Sequence, residues 1–330
     1  MSVSIVIINY NAGEWLLRCL NSVAELDEVD HVYVVDNASR DISLDLIQPI
    51  LDQFPEQFSL IQNQENVGFA AANNQVLHQY CDAQLGNNQL LHDKPSHDKA
   101  IALLAEKSKN SDYVLLLNPD CEMNESVLPA MLEAFEKQPQ LGLAGCVIHN
   151  EDGSLQKTCR RLFPTPMTAL TRMLQLQRLG LAKNFDLGDQ ALPETFTTIE
   201  AISGAFMMVR VSAMQEVGIL DEAYFMHCED LDWCKRFAMK KWQVGFVPTA
   251  SVVHAKGVSS KSRPVGVLWT LHKGMLRFFD KFYREQYSFL THILVKIGVL
   301  VSFLLRAAWS IVKKMVFQES KQETWSKRMR

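Results

Sequence analysis

The chain has 330 residues, 48% hydrophobic and 21% charged, the make-up of a soluble globular protein with material for one large or two modest domains. Its seven cysteines, odd in number and without a paired metal-ligand spacing, argue against a disulfide framework and for a reducing compartment. The net charge of −4 hides an asymmetry: Met1 to Val253 carries a balance of −15 and His254 to Arg330 one of +11, an acidic enzyme-like body followed by a basic tail suited to a polyanion.

The N-terminus, Met1-Ser-Val-Ser-Ile-Val-Ile-Ile, lacks a basic flank and a small-residue cleavage site. It reads as a first strand, Val3 to Ile8, and not as a signal peptide. Asn11 is placed to cap a helix from Gly13 to about Glu25, with Trp15, Leu16, Cys19, Leu20 and Val23 on one face. A second strand, His31 to Val35, ends in Asp36-Asn37; a helix over Leu44 to Leu51 and a third strand, Phe58 to Gln62, follow. Gly68 to Tyr80 reads as an Ala-rich helix. From Cys81 to Ser111 the chain turns polar around a helix-like piece, Lys99 to Glu106, as in a surface excursion. Next come a strand at Tyr113 to Leu117, a helix at Ser126 to Lys137 and a strand at Gly142 to Ile148. Thr165 to Leu181 reads as helical, Ile199 to Val209 as strand-like around Gly204, and Glu229 to Lys240 as a helix. Val244 to Val247 and Ser251 to His254 close the body. Strands alternating with helices imply an α/β fold with a mostly parallel sheet.

No G-x-G-x-x-G follows the first strand and no P-loop is present, which argues against a dinucleotide-binding dehydrogenase or an NTPase. Polar residues stand at the strand ends instead: Asn9-Tyr10-Asn11, Asp36-Asn37, Asn66-x-Gly68 and Asn118-Pro119-Asp120. That edge is where open α/β sheets bind ligands. Pro119 cannot continue a central ladder, so Asp120 is left at the carboxyl end of an apolar strand. A carboxylate there suits a divalent cation that also holds substrate phosphates. Asp36 can accept from a pyrimidine N3–H or a ribose hydroxyl, Asn9 and Asn11 can meet base edges, and Tyr10 can stack. Gly68 permits close backbone approach at a helix start.

Two further features carry chemistry. Glu229, Asp230 and Asp232 open a helix, where negative charge complements the dipole; adjacent carboxylates in a cleft also repel one another and can act as a general base. His254 follows a strand and is either structural or a nitrogen ligand to the cation at Asp120.

The strings Ser4-Ile-Val-Ile-Ile-Asn-Tyr-Asn11, Val34-Val-Asp-Asn-Ala-Ser39, Asn66-Val-Gly-Phe-Ala-Ala-Ala-Asn-Asn74, Leu115-Leu-Leu-Asn-Pro-Asp120, Ser203-Gly-Ala-Phe-Met-Met-Val-Arg210, Leu220-Asp-Glu-Ala-Tyr-Phe-Met226 and Glu229-Asp-Leu-Asp232 run in order through the body. Together they resemble family 2 glycosyltransferases of the GT-A fold, and within them the bacterial rhamnosyltransferase-like branch. The resemblance implies a catalytic domain over residues 1–256. Its nucleotide-sugar half would cover 1–121 and its acceptor half 122–256, with a basic helical region over 257–330. It implies a donor pocket of Asn9, Tyr10, Asn11, Asp36, Asn37, Asn66, Gly68 and Asn118. Asp120 and His254 would hold Mg²⁺ or Mn²⁺, with Asn118 standing where the family's D-x-D motif has its first Asp. Asp230 would be the base, with Glu229 tuning it or holding the acceptor. Gly204 and Phe206 would shape the acceptor side. Arg160 and Arg161, in an Arg-Arg-x-Phe-Pro-Thr-Pro string, would meet phosphate or form an exposed basic turn. His227-Cys228, where an aromatic pair is more usual, and Trp233 are departures near the acceptor.

The implied reaction is inverting transfer of a sugar, with L-rhamnose from dTDP-rhamnose as first choice. The acceptor would be a saccharide or polyprenyl-diphosphate-linked saccharide in bacterial cell-surface polysaccharide synthesis. A UDP-sugar hexosyl or N-acetylhexosaminyl transferase of the same fold is the nearest alternative, and a silent nucleotide-binding scaffold the alternative of another class. In the tail, Tyr287 to Leu305 is strongly apolar, with Phe278, Phe279, Phe282, Tyr283 and Trp309 around it and Arg306, Lys313, Lys314, Lys327, Arg328 and Arg330 following. This pattern favours a helix lying on the inner face of the cytoplasmic membrane over one that spans it, because His292 and Lys296 interrupt a run otherwise long enough to cross, over one packed on the body, and over nucleic acid, because long aliphatic runs separate the basic residues. Oligomeric state is left open.

Overall fold

The computed structural model describes residues 1–81, 111–168, 186–255 and 264–328. The polar excursion with Lys99–Glu106, and all but the start of the Thr165–Leu181 region, lie outside these residues. The chain divides into two compact units. One comprises Met1–Phe163, Asn184–Phe225 and Glu229–Ser259; the other comprises Pro164–Lys183, Met226–Cys228 and Ser260–Arg330.

The first unit begins with β1 (Val3–Asn9), α1 (Glu14–Asn21), β2 (Val29–Asp36), α2 (Ser43–Gln53), β3 (Phe58–Gln62) and α3 (Phe69–Cys81). It continues with β4 (Tyr113–Leu117), β5 (Cys121–Met123), α4 (Val127–Lys137) and β6 (Leu141–His149). After β7 (Arg160–Arg161), β8 (Thr197–Thr198), β9 (Ala201–Ile202) and β10 (Phe206–Arg210) come α5 (Val211–Val217), α6 (Glu229–Met239) and β11 (Gln243–His254). The main sheet runs β3-β2-β1-β4-β10-β6-β11-β5, with β8 added against β11, and β7 pairs with β9 apart from it. Neighbours among β3, β2, β1 and β4 are parallel, as are β6 and β11; β10 is antiparallel to both β4 and β6.

β1 and β4 are buried along their whole length, which is why they read as continuous apolar runs without alternation. Val3, Ile5 and Ile7 share one core with Leu16 and Leu20 of α1 and with Leu115 of β4. The parallel register sets Asn9 beside Asp36, so two polar strand ends arrive at the same edge. Helix α1 departs from expectation. Asn11 does not cap it; it sits in the left-handed region at φ 53°, and its Oδ1 accepts from the Arg40 amide at 2.7 Å. The helix starts after Gly13 and stops at Asn21. β11 is one strand with a register shift between Val247 and Ser251, and α5 was not anticipated because its short segment shows too little periodicity.

The second unit holds α7 (Pro264–Tyr283) and α8 (Phe289–Arg328), packed antiparallel. Trp269 meets Phe303 edge-on with ring centroids 5.2 Å apart, and Phe279 meets His292 at 4.8 Å. In α8 the stretch Phe289–Ser310 has a mean hydropathy of 1.8 with 6% of it buried, so it is long and apolar enough to cross a membrane. Leu290, Leu294, Leu304, Leu305 and Trp309 are all exposed.

Candidate active site

The edge at the ends of β1 and β2 is built by hydrogen bonds. Asn9 donates from Nδ2 to Asp36 Oδ1 at 2.7 Å and to Ser39 Oγ at 3.0 Å, and its Oδ1 accepts from the Ala12 amide. The Ser39 amide donates to Asp36 Oδ2 at 3.1 Å. Asp36 is thus fixed as an acceptor with lone pairs to spare. Asn9 is fully buried and both ends of its amide are engaged, so it positions Asp36; the expectation that it meets a base edge is corrected. Asn37 is corrected likewise. It is buried, its Nδ2 donates to Asn66 Oδ1 and to the Gly68 carbonyl, and its Oδ1 accepts from Asn63 and the Val67 amide. Gly68 is required by the protein's own backbone: at φ 92°, a Cβ there would lie 2.6 Å from the Phe225 carbonyl oxygen. Tyr10, Asn11, Ser39 and Asn66 are half-buried at this edge, and Asn66 Oδ1 is taken by Asn37 and the Gly68 amide.

The second group stands at the end of β4. The Asn118 amide bonds the Ala205 carbonyl at 2.9 Å and the Cys121 amide bonds the Asn118 carbonyl at 3.1 Å, which turns the chain at Pro119. β5 then pairs with β11 so that Cys121 lies opposite His254. His254 Nε2 comes to 3.1 Å from Asp120 Oδ1 and 3.3 Å from Asn118 Nδ2. Adjacent donors on an octahedral cation at about 2.1 Å lie about 3.0 Å apart, so the Asp120–His254 spacing matches two neighbouring positions of one ion. A carboxylate oxygen and an imidazole nitrogen fit Mg²⁺ or, better, Mn²⁺, with the remaining positions left for phosphate and water. Cys121 is close enough to complete the cluster; its Sγ–H donates to the Ala205 carbonyl at 3.5 Å, and a soft sulfur suits Mg²⁺ or Mn²⁺ less well than the oxygen and nitrogen donors beside it.

The third group is carboxylate. Asp230 Oδ2 accepts from the Gly204 amide at 3.0 Å and from the Arg161 guanidinium, while Oδ1 accepts from the Leu231 amide at 2.7 Å. Arg161 also donates to the Ile202 carbonyl. Glu229 beside it is 6% exposed, and its Oε2 has no hydrogen-bond partner among the described residues. Burial first, then the neighbouring Asp230, push the Glu229 carboxyl up to about 8. The dipeptide Gly204-Ala205 joins the second and third groups: its Gly204 amide holds Asp230, and its Ala205 carbonyl holds the turn that carries Asp120.

Several expected acceptor-side residues have other roles. Arg160 is buried, its guanidinium donating to the carbonyls of Leu187, Gln190 and Ala191 while it lies over the Phe246 ring, so it pins a loop and meets no phosphate. Arg161 pairs with Asp230 and forms no exposed basic turn. Phe206 belongs to the main core. Trp233 is fully buried, donates to the Gly218 carbonyl at 2.8 Å and packs edge-on against Phe237. His227, at φ 73°, belongs to the second unit, where a Cβ on Gly274 of α7 would come within 2.8 Å of its carbonyl oxygen. Asp232, expected as part of the acidic cluster, pairs with Arg236 at 2.7 Å inside α6. One site residue was missed by sequence reasoning. Gln156 accepts from His254 Nδ1 at 3.1 Å and donates to the His254 carbonyl at 2.8 Å, and no spacing signal marked it.

Residues 4–82 match the model of glycosyl transferase family 2. An N-acetylglucosaminyl-diphospho-decaprenol L-rhamnosyltransferase of Mycobacterium tuberculosis is 28% identical over 280 residues, 83% of this chain and 82% of that protein. A mannosyltransferase from Pyrobaculum calidifontis, solved with GDP-Man and Mn²⁺, superposes with a TM-score of 0.54 at 14% identity, covering 93% of this chain and 74% of that one. GalNAc-T7, solved with UDP, GalNAc and Mn²⁺, gives 0.53 at 15% identity over 85% of this chain. This chain spans 48% of the length of GalNAc-T7. The two structures share the fold, a mixed and mostly parallel sheet of the GT-A type.

Proposed function

We propose that this chain, whose residues 4–82 match the glycosyl transferase family 2 model on a fold of the GT-A type, transfers L-rhamnose from dTDP-rhamnose to a saccharide carried on a polyprenyl diphosphate. The rhamnosyl donor and lipid-linked acceptor are supported by the likeness to the mycobacterial N-acetylglucosaminyl-diphospho-decaprenol L-rhamnosyltransferase. The observation that carries the reading is the Gly204-Ala205 joint, which ties the aspartate suited to a cation and the aspartate suited to a proton into one hydrogen-bonded assembly.

Asp36 accepts from the pyrimidine N3–H or a ribose hydroxyl, with Tyr10 and Asn11 beside it. Asp120 and His254 would hold Mg²⁺ or Mn²⁺, which when bound offsets the negative charge on the departing diphosphate. Asp230 takes the proton of the acceptor hydroxyl as that oxygen bonds the anomeric carbon and the carbon–phosphate oxygen bond breaks on the opposite face, inverting the centre. The Gly204 amide and Arg161 fix the carboxylate for this approach, leaving one lone-pair direction for the incoming hydroxyl. Glu229, held neutral at physiological pH by its surroundings, adds no second negative charge beside it.

A thermal-shift panel tests the donor. With Mn²⁺, dTDP-rhamnose is expected to raise the melting temperature more than UDP-glucose, UDP-N-acetylglucosamine or GDP-mannose, by roughly 2.7 kcal/mol of added stability at a hundredfold excess over Kd. A larger shift with a UDP-sugar would move the assignment to a hexosyl or N-acetylhexosaminyl transferase. Asp120→Ala is expected to abolish the metal-dependent part of the shift.

The exposed apolar face of α8, with Arg306 within it and Lys313 and Lys314 beyond, supports seating on an anionic membrane surface where a lipid-linked acceptor is reached. Leu300 and Leu304 are 52% and 55% exposed, so Leu300→Glu with Leu304→Glu is expected to leave the melting temperature unchanged and to abolish co-sedimentation with phosphatidylglycerol vesicles. Undiminished co-sedimentation would remove the membrane role of this face.

A further inference from the structure

We infer that Gln156 is a positioning residue for the cation site: it sets the His254 imidazole in the form whose Nε2 lone pair faces Asp120. The inference rests on the reading of Asp120 and His254 as cation ligands given above.

The geometry fixes one ring hydrogen. Gln156 is 4% exposed, and its side-chain amide closes a two-point contact with His254. Its Nε2 donates to the His254 carbonyl at 2.8 Å, a contact an amide oxygen cannot make because both partners would be acceptors. The Gln156 oxygen therefore faces His254 Nδ1 at 3.1 Å, and Nδ1 must carry the hydrogen. In the neutral ring that leaves Nε2 as a bare acceptor. Nε2 lies 3.3 Å from the Asn118 amide nitrogen, which donates to it, and 3.1 Å from Asp120 Oδ1, another acceptor. Two lone pairs at that distance repel unless a proton or a cation sits between them. A divalent cation bound by both can take that place, and Gln156, by holding Nδ1–H, keeps Nε2 turned toward Asp120 to receive it.

The backbone holds Gln156 in place for this work. The Gln156 amide donates to the Ile148 carbonyl at 2.8 Å, and His149 bridges Leu155 across the turn, so the residue hangs from the end of β6 next to β11. The same residue thus grips both the main chain and the ring of His254, and neither can swing without breaking a buried bond.

Two variants separate positioning from mere packing. Gln156→Met keeps the volume and loses both bonds; Gln156→Glu keeps an acceptor for Nδ1–H. In long-range ¹H–¹⁵N spectra of the metal-free full chain, with His254 assigned by its loss in His254→Ala, wild type and Gln156→Glu are expected to show the Nδ1–H form. Gln156→Met is expected to show a mixture or the Nε2–H form. Mn²⁺ binding in the presence of dTDP, followed by electron paramagnetic resonance, is expected to weaken about 10–100-fold in Gln156→Met and to return toward wild type in Gln156→Glu. A Gln156→Met protein that keeps both the Nδ1–H spectrum and wild-type Mn²⁺ affinity overturns the inference. If wild type binds no Mn²⁺, or Asp120→Ala binds it equally well, the cation reading fails instead, and the metal-free spectra still decide what Gln156 does to His254.

Discussion

Asp230→Asn is expected to lower turnover about 10²–10⁴-fold while leaving dTDP affinity unchanged, the loss typical of removing a positioned general base. The asymmetry follows from where Asp230 is held. Its partners are the Gly204 amide, the Arg161 guanidinium and the Leu231 amide, none of which belongs to the Asp36 edge where the nucleotide is proposed to bind. An asparagine fills the same space but cannot accept the acceptor's proton, and it leaves Arg161 without its anion. Initial rates at saturating donor, with dTDP binding measured by calorimetry on the same preparation, read the two quantities apart. Turnover within a fewfold of wild type would remove Asp230 from the chemistry. A parallel collapse of dTDP affinity would mean that the variant had disturbed the Gly204-Ala205 joint and with it the Asp120 turn.

The parts of this site that were legible in the sequence are those that repeat a physical pattern. β1 and β4 announce themselves as unbroken apolar runs because they are covered on both faces, and Pro119 marks where β4 has to stop. Asp120 is marked by the end of β4, while His254 stays open between a structural role and a ligand until the family resemblance names it; β5 pairing with β11 sets the two side by side. What could not be read depends on parity and on long-range bonding. Arg160 and Arg161 are neighbours on β7, so they point to opposite faces; one is locked under a loop and the other reaches Asp230. The family resemblance offers both the same two roles, phosphate or an exposed basic turn, and has no means of telling them apart. Asn9 and Asn37 look like ligand residues because they are polar and sit at the edge, yet each uses its whole amide to hold other loops. Trp233 and Phe206 show the converse, since aromatics near a site in sequence can be core in space. Gln156 belongs to no periodic element and carries no charge; only its two bonds to His254 reveal it.

Glu229→Gln is expected to stabilise the protein at alkaline pH and to leave it unchanged in acid. The sign follows from the direction of the shift. Burial and Asp230 raise the folded-state carboxyl from its ordinary 4.5 to about 8. Below 4.5 both folded and unfolded chains keep the proton and nothing is lost. Between 4.5 and about 8 the unfolded chain ionises while the folded one does not, so wild-type stability falls as pH rises through this window. Above it the folded protein carries a buried carboxylate whose Oε2 has no partner among the described residues, beside Asp230. Glutamine has the shape of the protonated acid and does not titrate, so the variant escapes this loss by on the order of a few kcal/mol at pH 9. Denaturant unfolding of both proteins at pH 4, 6.5 and 9 measures it, the difference being expected to grow monotonically with pH. A constant difference would show that Glu229 is already ionised in the folded protein at neutral pH. Asp230 would then work beside a second buried negative charge, and Arg161 would have to balance two carboxylates instead of one.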